Sequence, residues 1–347
     1  MCFRLDNSRR FDYILYMFRV SLLSMFFAMS CATVLPSVPP QALLTPKQAH
    51  TKLAHISTNK VQLWVVNHVK AHRHLDTNGM VNDTALVNET LKNIDAVVQG
   101  GGDALVLMNA KTKIDVYERV IAAVRERYPA FPLAISAPKY GPKNLTEAFR
   151  LAKKFNAQIV WCKVAPDEAF KYKSETGEYV KGETIERHFA LKTQKDTLPA
   201  AMHVAGVQME HTKPLTRLTL PEAIHAVLGS VDGINIAGPK TGIAAEVERV
   251  KKAHRAANGY PLGLVSNVSV DNIEPVLPYI DYVIVENSIK EEDNDLRISR
   301  EKVWELRSLI DELGYGTDGA QAPRTMEEMH GDDHANHHGH SAHGHHH

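Results

Sequence analysis

The sequence is short of cysteine, of charge of either sign in excess, and of long apolar runs. Its 347 residues hold three cysteines, Cys2, Cys31 and Cys162, too few for a disulfide framework. Lys plus Arg number 40 and Asp plus Glu number 40, a formal net charge of +0. Neutralising phosphates needs a basic surplus, so the balance argues against a nucleic-acid partner. With 44% hydrophobic and 23% charged residues, the chain is globular in composition, neither wholly disordered nor a polytopic membrane protein. A length of this order admits one large α/β domain or two ordinary ones.

The one extended uncharged stretch runs from Val20 to Pro46, behind Arg4, Arg9, Arg10 and Arg19. Its apolar core, Val20 to Leu35, is shorter than the ~20 residues of a membrane-spanning helix and nearer the roughly 7–15 of a secretory signal. Residues 1–45 therefore read as a signal peptide or membrane anchor plus linker, with a possible cleavage point near Cys31. The expectation is an exported or membrane-anchored protein, or a cytoplasmic one if the N-terminus is a mispredicted start.

Histidine is abundant. There are 19, nine of them between His330 and His347. Residues 316–347 read as a disordered tail, because Gly, Ser, Asp and Asn between the imidazoles deny it an apolar face. His334, His337, His338, His340, His343, His345, His346 and His347 could wrap a divalent transition metal such as Zn, Ni or Cu, or be no more than an expression tag.

Between these ends the chain alternates short apolar runs with amphipathic stretches. The runs are Val61–Val66, Asp103–Met108, Pro132–Ser136, Gln158–Val164, Ala201–Val207, Asp232–Ala237, Pro261–Val265 and Asp281–Val285. Each is rich in Val, Ile and Leu, as in strands covered on both faces of a parallel sheet. The stretches Asp115–Tyr128, Leu145–Phe155, Leu220–Leu228, Ile243–Ala257 and Glu301–Leu313 carry helical periodicity. Eight such repeats over residues 55–315 predict an α/β fold, a single-domain (β/α)₈ TIM barrel with flexible terminal extensions. An open doubly wound sheet is the rival. It usually carries a glycine-rich turn after its first strand, whereas Asn67-His68-Val69-Lys70 has no glycine.

In a barrel, chemistry gathers at the C-terminal strand ends. Those ends supply His68 and Lys70, Asn109 and Lys111, Ser136 and Lys139, Lys163, then Gln208, Glu210 and His211. The later strands add Gly238, Lys240, Thr241 and Gly242, then Ser266 and Asn267, then Glu286, Ser288 and Lys290. A mouth so rich in Lys suits a small anionic metabolite, a phosphorylated sugar or nucleotide-like compound.

Three of these segments, Asp232 to Gly242, Pro261 to Asn272 and Asp281 to Lys290, resemble the BtpA family. That family reads SGxxTG, then SGVTxxN, then DGxIVGTSxK in these places. Asn67-His68, Gly102-Asp103-Ala104 with Asn109, and Glu210-His211 followed by Pro214-Leu215 match its earlier motifs. The resemblance implies a ribulose-phosphate-binding-type barrel in a family whose founding member is linked to photosystem I accumulation. Departures stand at Met108 and Glu210, where the family has an acid and a lysine, and at Asn267 and Glu286, where it has glycines. A buried, unpaired carboxylate at Glu286 would repel an anion. The expectation is thus an altered ligand or a binding protein that has lost its chemistry.

The catalytic candidates are His68, Glu210 and His211, as an acid/base pair or a metal site, or as rim histidines bonded to backbone. The ligand candidates are Asn109, Lys163, Gly238, Lys240, Thr241, Gly242, Ser266, Asn267, Glu286 and Ser288. Lys163 could equally lie in a salt bridge, while Cys162, Trp64 and Trp161 read as packing residues. Two functions remain open: a metabolite-binding barrel of unassigned reaction, able to pair as a homodimer, or a non-enzymatic membrane-associated assembly or metal-handling factor working through the His tail.

Overall fold

A computed structural model describes residues 45–110, 112–136, 142–162, 170–173, 179–181, 201–209, 212–214, 217–239 and 243–317. Residues 1–44 and 318–347, which hold the expected signal or anchor segment and the histidines of the tail, lie outside the described residues.

The eight apolar runs become eight parallel barrel strands, none more than three residues from its predicted bounds. They are β1 (Gln62–Val69), β2 (Ala104–Asn109), β3 (Leu133–Ser136), β4 (Ile159–Cys162), β7 (Met202–Gly206), β9 (Gly233–Ala237), β10 (Leu262–Val265) and β11 (Tyr282–Val285). The order β1-β11-β10-β9-β7-β4-β3-β2 closes on itself. The remaining strands are β5 (Phe170–Lys173), β6 (Tyr179–Lys181) and β8 (Thr212–Pro214), joined in a separate antiparallel sheet of order β6-β5-β8. Both insertions that build it leave from C-terminal ends of barrel strands, β4 and β7. Sequence analysis had no strand there, because these pieces are three or four residues long and carry lysines in place of an apolar run.

The helices are α1 (Pro46–Ala54), α2 (Asp83–Gln99), α3 (Ile114–Arg127), α4 (Pro142–Lys154), α5 (Leu220–Val227), α6 (Val247–Ala257) and α7 (Arg300–Ile310). Two of them escaped the periodicity. In α2, Thr90 and Asn93 occupy buried positions beside Leu86, Ile94 and Val97, so the apolar stripe is interrupted. In α1, a Thr45–Gln48 capping box and Pro46 start a short helix. Its Leu53, with Ile56 just beyond, belongs to the apolar cluster inside the barrel, so this segment covers the N-terminal end. The expected Ile243–Ala257 helix begins only at Val247, after an irregular turn. Between β10 and β11 the chain makes a 3₁₀ helix, Glu274–Tyr279, where Pro275 and Pro278 remove backbone donors. Among the described residues no helix is long and apolar enough to cross a membrane.

Strand alternation sorts side chains into two layers. Leu63, Val65, Leu105, Leu107 and their counterparts pack against the helices. Trp64, Val66, Ala104, Val106, Ala134 and Tyr282 fill the interior. Trp64 and Tyr282 stack with ring centroids 4.1 Å apart, a contact worth about 0.5–1.5 kcal/mol beyond its area. Room for the Tyr282 ring comes from Gly263, where an added Cβ would lie 2.1 Å from it.

The N-terminal end is latched by one repeated device. Asp103, Asp232 and Asp281 each stand one residue ahead of a barrel strand. Each gives its backbone N–H to a neighbouring strand's carbonyl (Leu63, His203, Leu262) and accepts that same residue's N–H on its carboxylate, all at 2.7–2.8 Å. Gln158 does the same with Leu133 through its amide oxygen. These first-pair N–H groups would otherwise be buried donors without partners.

Candidate functional site

The opposite, C-terminal end gathers the polar side chains. β1 runs three residues further than its apolar run suggests, and alternation from Trp64 and Val66 turns His68 inward. Alternation along β11, from Tyr282 and Ile284, does the same for Glu286. The two meet at 3.1 Å between His68 Nε2 and Glu286 Oε1. The 3₁₀ turn Asn287–Ile289, which contains Ser288, brings Lys290 back to the same oxygen at 3.3 Å. Burial alone would raise the Glu286 carboxyl. The His68 hydrogen bond and the charges of His68 and Lys290 outweigh it and hold the group at about 2. The carboxylate feared as an anion repellent is therefore paired.

More cations ring this pair. Lys290 donates to the Asp295 carbonyl at 2.7 Å. Lys70 and Arg73, from the loop after β1, approach the Asp295 carboxylate at 3.5 and 3.2 Å. Glu286 and Asp295 thus share three permanent cations and an imidazole at this sector of the rim.

Across the mouth from Glu286, a row of hydrogen-bonded strand neighbours runs inward from His68. Met108 pairs with His68 across β1 and β2. Ser136 follows on the inner face of β3, and Trp161 pairs with it from β4. Ser136 Oγ and Trp161 Nε1 are buried and have no hydrogen-bond partner among the described residues. A third such donor, Asn235 Nδ2, lies deeper on β9, where the same amide's oxygen accepts from the Tyr282 hydroxyl at 2.7 Å. Unpaired buried donors each cost about 1–3 kcal/mol, so three inside one barrel mark a place to look for a ligand.

Alternation sends Asn109 the other way, to the helix side with Leu105 and Leu107. Its amide spans a turn, donating to the Thr112 carbonyl at 3.0 Å and accepting the Thr112 N–H at 2.8 Å. Thr112 in turn donates to the Val69 carbonyl. The structural use for an amide at this strand end, not foreseen from the sequence, is to close the loop between β2 and α3.

The late loops explain two of the departures. Ser266 and Asn267 both have left-handed backbone, φ 77° and 51°. That conformation favours glycine and tolerates asparagine, so Asn267 can stand where a glycine is usual. Asn272 braces the loop by donating to the Asn267 carbonyl and accepting from Ser269 N–H. Glu286, by contrast, has φ −139° and makes no such demand. Gly238 is required sterically, since a Cβ there would come within 1.8 Å of the Ile243 carbonyl oxygen.

Lys163, Glu210, His211, Lys240, Thr241 and Gly242 lie outside the described residues, as does the His tail. Among the described residues no three His, Cys, Asp or Glu side chains gather as metal ligands do. Of these three donors, Ser136 stands among the strand-end residues read from the sequence but not among the ligand candidates, while Trp161 and Asn235 are indistinguishable there from core residues.

Comparison with known proteins adds three observations. The BtpA family model matches residues 66–312. Over 109 residues the chain is 29% identical to the photosystem I biogenesis protein BtpA of Synechocystis sp., covering 31% of this chain and 38% of that relative. The aligned part is thus well under half of the relative's length. Among solved structures, phosphoribosyl anthranilate isomerase from Thermus thermophilus is similar with a TM-score of 0.44 and 15% identity, over 73% of this chain and 100% of the other. Tryptophan synthase of Mycobacterium tuberculosis has a TM-score of 0.49 and 12% identity, over 76% and 96%.

Proposed function

The chain belongs to the BtpA family, and on that premise we propose that its barrel mouth binds a small anionic metabolite, a phosphorylated sugar or nucleotide-like compound. The observation that carries this reading is the set of buried groups without partners among the described residues: Ser136 Oγ, Trp161 Nε1 and Asn235 Nδ2. An indole nitrogen and an amide nitrogen only donate, and a hydroxyl can donate too. A ligand that satisfies all three must be rich in acceptors. Lys70, Arg73 and Lys290 place cations on one side of the rim, shared with Glu286 and Asp295, and draw negative charge toward it. Anion recognition in a closed mouth of this kind requires donors fixed before the ligand arrives, and strand-borne side chains meet that need.

The test is a thermal-shift screen followed by calorimetry, using inorganic phosphate, ribose 5-phosphate and AMP as probes. Saturable binding by at least one, weakened by Ser136→Ala, is the expected outcome. A flat screen across all three probes overturns the reading.

A further inference from the structure

The first turn of α6 carries an arginine that the mouth described above does not use. Arg249 lies half-buried, and its Nε donates to the Ala237 carbonyl at 3.2 Å. One Nη2 hydrogen goes to the Gln208 carbonyl at 3.3 Å. Ala237 ends β9 and Gln208 lies two residues beyond β7, so the guanidinium bridges the C-terminal ends of two neighbouring barrel strands. Both anchor points are conformationally special. Gln208 is held in the left-handed region at φ 46°, a strained choice for this residue type. Gly238, next to Ala237, allows the backbone crossing that returns the chain toward α6.

The charge on Arg249 is poorly compensated. A guanidinium has five N–H donors, and two are used among the described residues. No carboxylate among the described residues lies within 4.0 Å of it, a distance that the His68–Glu286 and Arg307–Asp103 pairs satisfy easily. Burial pushes its guanidinium below the ordinary arginine value, with only the longer-range charge of Glu246 opposing. A half-buried cation held by two neutral carbonyls is costly unless something anionic completes it.

We propose that Arg249 is the cation of an anion subsite on the β7–β9 side of the barrel mouth, taking a phosphate or carboxylate group through its free N–H fork. The inference rests on the reading of the mouth as an anion site and adds to it the residue that receives the charge. A planar fork fixed by its own Nε bond is suited to two parallel hydrogen bonds to such a group. Lysine offers a point charge in its place.

The experiment titrates inorganic phosphate and, in a parallel arm, succinate into wild-type protein, Arg249→Gln and Arg249→Lys. Phosphate binding alone identifies a phosphoryl ligand, and succinate binding alone a carboxylate. The expected result is that Arg249→Gln weakens the bound anion about tenfold or more, as loss of a charge-assisted pair does, with Arg249→Lys between the two. Should Arg249→Gln fail to fold, phenylglyoxal labelling of the wild-type chain replaces it, with saturating phosphate or succinate expected to protect Arg249 from modification. Unchanged affinity in Arg249→Gln, or labelling at Arg249 unaffected by an anion that binds, overturns the assignment and leaves the mouth reading intact. Wild-type protein that binds neither anion removes both.

Discussion

Glu286 Oε1 accepts from His68 Nε2 at 3.1 Å across the seam where β11 meets β1 and the barrel closes. Neither residue is on the inward face by accident of a loop. Each continues the inward alternation of its strand by one step past the apolar core, so the bond is a consequence of register. Lys290 on the same oxygen completes a charge set that lets a carboxylate sit at this strand end.

The Glu286 carboxyl is held at about 2, below its unfolded value, so its ionised form stabilises the fold. That contribution is complete above the ordinary carboxylate range of about 4.3 and is lost as pH falls from there toward 2. Glu286→Gln should therefore flatten the stability-against-pH curve between about pH 4.5 and 2. With the side chain 31% exposed, screening limits the cost at neutral pH to about 1–2 kcal/mol. Urea midpoints measured from pH 2 to 7 check this, and parallel curves for wild type and variant would refute it.

Gly263→Ala probes the interior. Its Cβ would sit 2.1 Å from the Tyr282 ring, and that ring is pinned by its stack on Trp64 and its bond to Asn235. Overpacking that cannot relax typically costs about 1–3 kcal/mol or more. Melting temperature should fall accordingly, and near-UV circular dichroism should report the displaced Trp64–Tyr282 pair. A variant with unaltered melting and spectrum would show that Tyr282 is free to move.

Sequence reasoning reached the barrel because its strands are buried on both faces and read as unbroken apolar runs. It read His68 and Glu286 as residues of the mouth because the strand ends of a barrel are where polar groups converge, and the structure sets the two side by side there. It failed where meaning depends on parity or on three-dimensional neighbours. Asn109 and Ser136 are both polar residues ending a strand, yet one faces the helices and the other the interior. Only the exact register separates them. Arg249 was invisible for another reason: an arginine in a helix's first turn is ordinarily solvated, and nothing local says that two strand ends lie within its reach. The Asp103, Asp232 and Asp281 latches were legible in part, since each acid opens an apolar run, but the paired backbone N–H belongs to a strand distant in sequence.

Asp103 illustrates what those latches contribute. Burial raises its carboxyl, opposed by Ser57, Arg307, Leu63 and Asn59, and its partner Arg307 is itself 5% exposed. Asp103→Ala strands the Leu63 N–H and takes one of two carboxylates from Arg307, the other being Asp311. A loss of about 3 kcal/mol is expected. Asp103→Asn keeps an acceptor for Leu63 and should lose less. Chemical denaturation of both variants makes the comparison, and equal losses would mean that the ion pair, and not the backbone latch, is what matters.

Ser136→Ala separates stability from binding. Deleting a bonded buried hydroxyl ordinarily destabilises a protein, but Ser136 Oγ has no partner to lose among the described residues. Removing it relieves an uncompensated donor, so the melting temperature should hold or rise slightly. Affinity for whichever phosphorylated probe binds wild type should meanwhile fall by about ten- to hundredfold, the worth of one hydrogen bond to a charged group. Trp161→Phe, which removes the neighbouring Nε1–H and keeps most of the ring volume, should behave alike. If either variant melts several degrees lower while binding unchanged, the donors serve the core and not a ligand, and the inner face of β3 and β4 is no part of the site.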